Sequence, residues 1–158
     1  MKLMAYRVFI SYSTKDLWIA DHVKAALTLP GVEVFIAEYN VPPSAPLNLQ
    51  IELAIRACDL FVLLWSRNSK SSDYVPQEIG IARGCGRAIL PVVLEDGLTV
   101  PGFISELKYL PAFRNPVQSV AWLQQFVWQN ATSQQQGTAA LVVMSLLGLL
   151  CLMSDDRR

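Results

Sequence analysis

Histidine occurs once in this chain of 158 residues, at His22, and cysteine three times, at Cys58, Cys85 and Cys151. One histidine leaves a Ser–His triad or a His-based metal site short of partners unless another base or further ligands replace them. The cysteines are odd in number, widely spaced and without a CxxC pair. They argue against a disulfide framework or a zinc site and fit a reducing compartment. The 13 basic and 13 acidic residues cancel, so no basic surplus points to nucleic acid. Charge is missing altogether from residues 115–154 and returns only in the final "DDRR". The chain therefore has two parts, a mixed-charge globular region and a charge-free end.

What is present alternates between two periodicities. "YRVFISY" (6–12) is β-branched and aromatic, long enough for a buried strand. Ser13, Thr14 and Asp16 are helix-start residues, and Leu17, Ala20, Val23 and Leu27 then form a helical stripe that ends at "LPG". His22 lies off that stripe, as a solvated helix residue would. "VEVFI" (32–36) predicts a second strand, followed by the proline-rich loop "AEYNVPPSAP" (37–46). A helix is expected over 47–57, then an almost continuously apolar strand, "DLFVLLW" (59–65), of the kind covered on both faces of a parallel sheet. "RAILPVVL" (87–94) predicts a fourth strand, and 109–113 a short edge strand. From Pro116 to Asn130 a helix carries Val120, Leu123, Phe126 and Val127 on one side.

Strands alternating with helices imply parallel βαβ units with right-handed crossovers. The fold class expected is α/β, an open flavodoxin-like parallel sheet of four or five strands with helices on both faces. In such a sheet ligands bind beyond the carboxyl ends of the strands, where strand order reverses. The loops 11–15, 37–46 and 66–74 would lie there.

The stretch "SSDYVPQEIGIARG" (71–84) begins at that same edge. Asp73 can cap a helix in which Pro76 sits in the first turn. Val75, Ile79 and Ala82 mark the buried face, and Glu78 shares that face or its edge. A first-turn glutamate can simply interact with the helix dipole. It can also be a working carboxylate beside a ligand. "GIARGCG" (80–86) lacks the order and the lysine of a phosphate loop and reads as a helix end and turn.

The organisation expected is a globular domain over 1–130, a polar linker over 131–136, a hydrophobic helix over 137–154 and a charged tail over 155–158. Eighteen uncharged residues would make a helix of about 27 Å, close to the roughly 30 Å of a bilayer's hydrocarbon. A C-terminal membrane anchor is one reading; a helix buried in an oligomer or against the domain is the other. No signal peptide precedes the first strand, so the globular part is expected to face the cytosol, with a purely cytoplasmic protein as the alternative.

"VFISYSTKD" (8–16) resembles the opening box of Toll/interleukin-1 receptor (TIR) domains, especially bacterial ones. "VEVFIAE", "ACDLFVLLWSRNS", "SSDYVPQEIGIA" and "RAILPVVLEDG" follow in the family's order. The resemblance covers about residues 5–130 and implies a five-stranded parallel sheet. It also implies cleavage of the nicotinamide–ribose bond of NAD⁺, with Glu78 at the position of the catalytic glutamate. Ser11, Tyr12, Ser13 and the loop from Ala37 would help form the nucleotide pocket. Trp65, Ser66 and Tyr74 would stand at its rim. Ser11 and Ser13 fit turn and cap positions equally well, and Trp65 fits a core. NAD⁺ is then a substrate, and neither cofactor nor metal is expected. Partners would be further copies through TIR–TIR contacts and a membrane, with no nucleic acid. The rivals are a non-catalytic interaction module and an enzyme that makes a cyclic nucleotide signal.

Overall fold

The computed structural model describes residues 4–36 and 47–155, with 138–155 described by backbone alone. Five parallel strands, β1 (Tyr6–Ser11), β2 (Val32–Phe35), β3 (Leu60–Trp65), β4 (Ala88–Val93) and β5 (Leu110–Pro111), lie in the order β2-β1-β3-β4-β5. The helices are α1 (Leu17–Ala26), α2 (Leu47–Ala57), the short α3 (Arg67–Lys70), α4 (Val75–Gly84) and α5 (Pro116–Asp155). This is the flavodoxin-like order, and the chain reverses direction across the sheet between β1 and β3.

The period of two along each strand splits the interior into two cores. Val8, Ile10, Leu60, Val62 and Leu64 point to one face, where Ala20, Val23 and Leu27 of the α1 segment and Leu123, Val127 and Ala131 of α5 cover them. Phe9, Phe61, Leu63 and Trp65 point to the other, against Ile55 of α2 and Val75, Ile79 and Ala82 of α4. Phe9 stacks on Phe35 and Phe61 at 5.3 and 5.4 Å, a row of rings across β2, β1 and β3. All six side chains of β3 are buried, as its unbroken apolar run requires. The helical stripes of α1 and α4 are buried where the sequence puts them, and His22 is exposed.

Three local expectations change. Asp73 does not cap α4; Ser72 Oγ accepts instead from the backbone N–H of Tyr74 at 3.3 Å and Val75 at 3.4 Å. The segment 131–136, read as a polar linker, is helical and belongs to α5, which runs unbroken for 40 residues. Alanine and glutamine are good helix formers, so their polarity alone does not end a helix. The domain also reaches past residue 130: Ala131 is core, and Gln134 Nε2 donates to Asp59 Oδ1 at 3.4 Å. The turn after α4 is as expected. Gly86, at φ 65°, follows the helix, and the Gly86 and Arg87 N–H groups bond back to the carbonyls of Arg83 and Ala82, a Schellman closure.

Among the described residues no helix is long and apolar enough to cross a membrane. The anchor expected over 137–154 rests almost entirely on side chains outside the described residues, as does the charged tail.

Candidate active site

Strand alternation places Ser11, the last residue of β1, on the same face as Phe9 and so toward α4. Helical spacing brings Glu78, one turn into α4, back toward the strand. The two meet: Ser11 Oγ donates to Glu78 Oε2 at 2.5 Å. Ser11 is only 1% exposed. Burial raises the pKa of Glu78 from 4.5 to about 7, against the opposing effect of the Ser11 bond.

Glu78 lines a cavity of about 230 Å³ at the carboxyl ends of the strands. Tyr12 and Thr14 after β1, Leu47 and Ile51 of α2, and Ser72 and Tyr74 before α4 form its walls with Phe9 and Ile10. Among these described residues Glu78 is the one carboxylate, and no lysine or arginine joins it. The Glu78 carboxyl group therefore sits in a largely apolar recess with no cation among its described lining residues, at the strand-order reversal where this sheet type binds ligands.

Two other hollows differ chemically. One of about 220 Å³ between α1, α5 and the β4–β5 side of the sheet is apolar, with His22 its one titratable lining residue. Another of about 480 Å³ beside β2 and α2 is lined by Arg7 and Glu33, which pair with each other at 3.5 Å. Neither gathers reactive groups. Among the described residues no three His, Cys, Asp or Glu side chains cluster as a metal site would need.

The structure thus places Tyr12, Tyr74 and Glu78 on the cavity and Ser11 against Glu78, and leaves three other expected residues apart from it. Ser13 is buried and caps the turn Thr14–Asp16 by accepting from the Lys15 N–H at 3.4 Å. Trp65, 3% exposed, is core, its Nε1–H donating to the Thr99 carbonyl at 3.0 Å. Ser66 caps α3, accepting from the Ser69 N–H at 3.0 Å, and donates to Asp16 Oδ2 at 2.6 Å. Ala37 lies outside the described residues, with the rest of its loop. Thr14 and Ser72 line the cavity from the loops expected at that edge, though neither was singled out; Leu47 and Ile51 were missed, with only a helical stripe as their signal. It also missed Asp16 as a buried acceptor, which takes a second bond from Asn68 Nδ2 at 2.7 Å.

The fold and cleft define an open, doubly wound α/β domain with a carboxylate at its topological switch point. More specifically, residues 8–127 match the family model for the TIR domain, and the chain belongs to that family. Solved structures agree on the fold. The TIR domain of the Toll-related receptor TRR-2 from Hydra magnipapillata is 20% identical, with a TM-score of 0.65, over 79% of this chain and 97% of that one. The CMP N-glycosidase BcmB of Clostridium botulinum is 21% identical, TM-score 0.58, over 76% and 98%. A 2-deoxyribosyltransferase from Leishmania mexicana is 16% identical, TM-score 0.53, over 75% and 97%. No curated protein matches the chain.

Proposed function

We propose that this TIR domain is an NAD⁺ glycohydrolase in which Glu78 is the catalytic carboxylate. The observation that carries the reading is a half-buried glutamate lining a cleft at the strand tips, with no lysine or arginine among the described lining residues. Two solved structures of similar fold are named for chemistry at nucleoside or nucleotide glycosidic bonds, which supports the class of reaction for this fold. The bond between nicotinamide nitrogen and C1′ breaks with its electron pair leaving on the nitrogen, so nicotinamide departs neutral and needs no acid. Positive charge develops on the ribosyl ring, and the ionised Glu78 stabilises it or holds the ribose hydroxyls. Water then forms the C1′–O bond, loses a proton and gives ADP-ribose; attack by an adenine nitrogen gives a cyclic isomer instead. Tyr12 and Tyr74 would contact the nucleotide, and the loop from Ala37 would complete the pocket.

The biological setting that fits is bacterial antiphage immunity, with the domain in the cytosol, acting as a homo-oligomer through TIR–TIR contacts. We further read the charge-free stretch 137–154 as a membrane anchor. Shortening the chain to end at Gln136 then removes a requirement for detergent; equal solubility of the full chain contradicts the anchor.

The test is to incubate the purified full chain with NAD⁺ and resolve the products. Nicotinamide with ADP-ribose or its cyclic isomer is expected. No turnover by a verified assembly contradicts the enzyme reading and leaves an interaction module.

A further inference from the structure

Ser11 was expected to touch the nucleotide, and its surroundings give it another task. It is not among the residues that line the cavity. It lies behind Glu78, sealed by the second core, and its hydroxyl reaches Oε2 at 2.5 Å. We propose that Ser11 is a positioning residue that holds the ionised Glu78 carboxylate in one orientation at the cavity wall, without touching the substrate. The end of β1 fixes the hydroxyl, because Ser11 is held in register with Leu63 of β3 and its side chain is sealed from solvent. A serine there restricts a side chain that otherwise has several rotamers to one that lines the cleft.

The hydroxyl also sets the charge. Burial favours the neutral acid, and the Ser11 donor favours the ionised form. These two causes account for the displaced acidity. The ionisable side chains on elements packed around α4 do not contribute to it. Arg56 of α2 pairs with Glu52 at 2.8 Å, Arg67 of α3 with Glu95 at 2.8 Å, and Arg83 of α4 itself with Glu106. Arg87, just before β4, bonds to the carbonyls of Cys58 and Cys85. Lys70 on α3, Asp73 before α4, Tyr12 and Tyr74 on the cavity wall and Cys85 after α4 are the other such groups among the described residues. Among the described residues Ser11 is therefore the one side chain that favours the charged state of Glu78.

The kinetic half of this inference rests on the proposed NAD⁺ cleavage; the structural half does not, and the experiment separates them. The side-chain carboxyl carbon of Glu78 is followed by NMR against pH in the full-length protein and in Ser11→Ala, Ser11→Thr and Ser11→Cys. Loss of the hydroxyl is expected to move the midpoint upward by about one pH unit. Threonine keeps the donor and restores the midpoint. Cysteine, a weak donor, moves it upward as well and carries the test if the alanine variant does not fold. In parallel, kcat/KM for NAD⁺ in Ser11→Ala falls about tenfold at pH 6, and the deficit closes toward pH 9. A midpoint unmoved in both the alanine and the cysteine variants overturns the role of Ser11, whatever the turnover. A moved midpoint without turnover in any variant upholds Ser11 and overturns the glycohydrolase reading. A deficit equal at every pH, with an unmoved midpoint, makes Ser11 merely structural.

Discussion

Asp16 and Glu78, one buried and one half-buried, are held in opposite ways. Asp16 is 5% exposed and takes bonds from two neutral donors, Ser66 Oγ at 2.6 Å and Asn68 Nδ2 at 2.7 Å. It ties the end of β1 to the segment after β3, apart from the residues that line the Glu78 cavity. Glu78 has Ser11 on one oxygen and a cleft beside it. Satisfied burial makes Asp16 a structural fastener. Burial with a hydrogen bond on one side and space on the other makes Glu78 available to a ligand. At about 1.4 kcal/mol per pH unit, a pKa raised from 4.5 to about 7 means that ionised Glu78 costs roughly 3 kcal/mol of folding stability. Asp16 serves the fold, whereas Glu78 is retained against it, as expected of a functional group.

The largest effect that sharpens this contrast is kinetic. Glu78→Gln keeps the shape and the acceptor for Ser11 but removes the charge, and nicotinamide release is expected to fall by about 10²–10³-fold. The loss should appear in kcat, with the protein still folded by circular dichroism. Second, Asp16→Ala leaves the Ser66 and Asn68 donors unsatisfied. Denaturant melting should show a loss of roughly 2–4 kcal/mol, while Glu78→Gln shows none. Third, Glu78→Gln should stabilise the fold at pH 8 by about 1–3 kcal/mol. The sign follows from the raised pKa. The native protein favours the protonated acid, so the parent gains stability as pH falls through 7 toward 4.5, and the advantage of glutamine fades by pH 5. A gain of equal size at both pH values would break the link between burial and charge. The smallest effect belongs to Tyr74, 61% exposed at the cavity mouth. Tyr74→Ala should raise KM several-fold, about 1 kcal/mol of ligand contact, with the melting temperature unchanged.

Much of the fold was legible because burial leaves a period. A β-branched and aromatic run marked β1, an apolar run marked β3, and stripes at helical spacing marked α1, α2 and α4. The register of α4 alone was enough to place Glu78 toward the interior. What could not be read was whatever depends on meeting across the chain. Ser11 and Glu78 are 67 residues apart, and Asp16 and Ser66 are 50 apart. No local pattern distinguishes the serine that reaches a glutamate from the one at Ser13 that caps a turn. Trp65 and Ser66 end a strand at the right edge of the sheet. Side-chain direction and capping then turn them into core and helix cap. The linker expectation failed because polarity was taken as a break, where glutamine-rich sequence continues a helix.

The central claim is that the half-buried Glu78 carboxylate must be ionised to act on the ribosyl group, and the pH dependence of kcat/KM for NAD⁺ tests it most directly. The account predicts a limb that rises with pH through about 7 and a low, flat residual rate in Glu78→Gln. A parent profile with no limb near 7, together with full activity in Glu78→Gln, would contradict it.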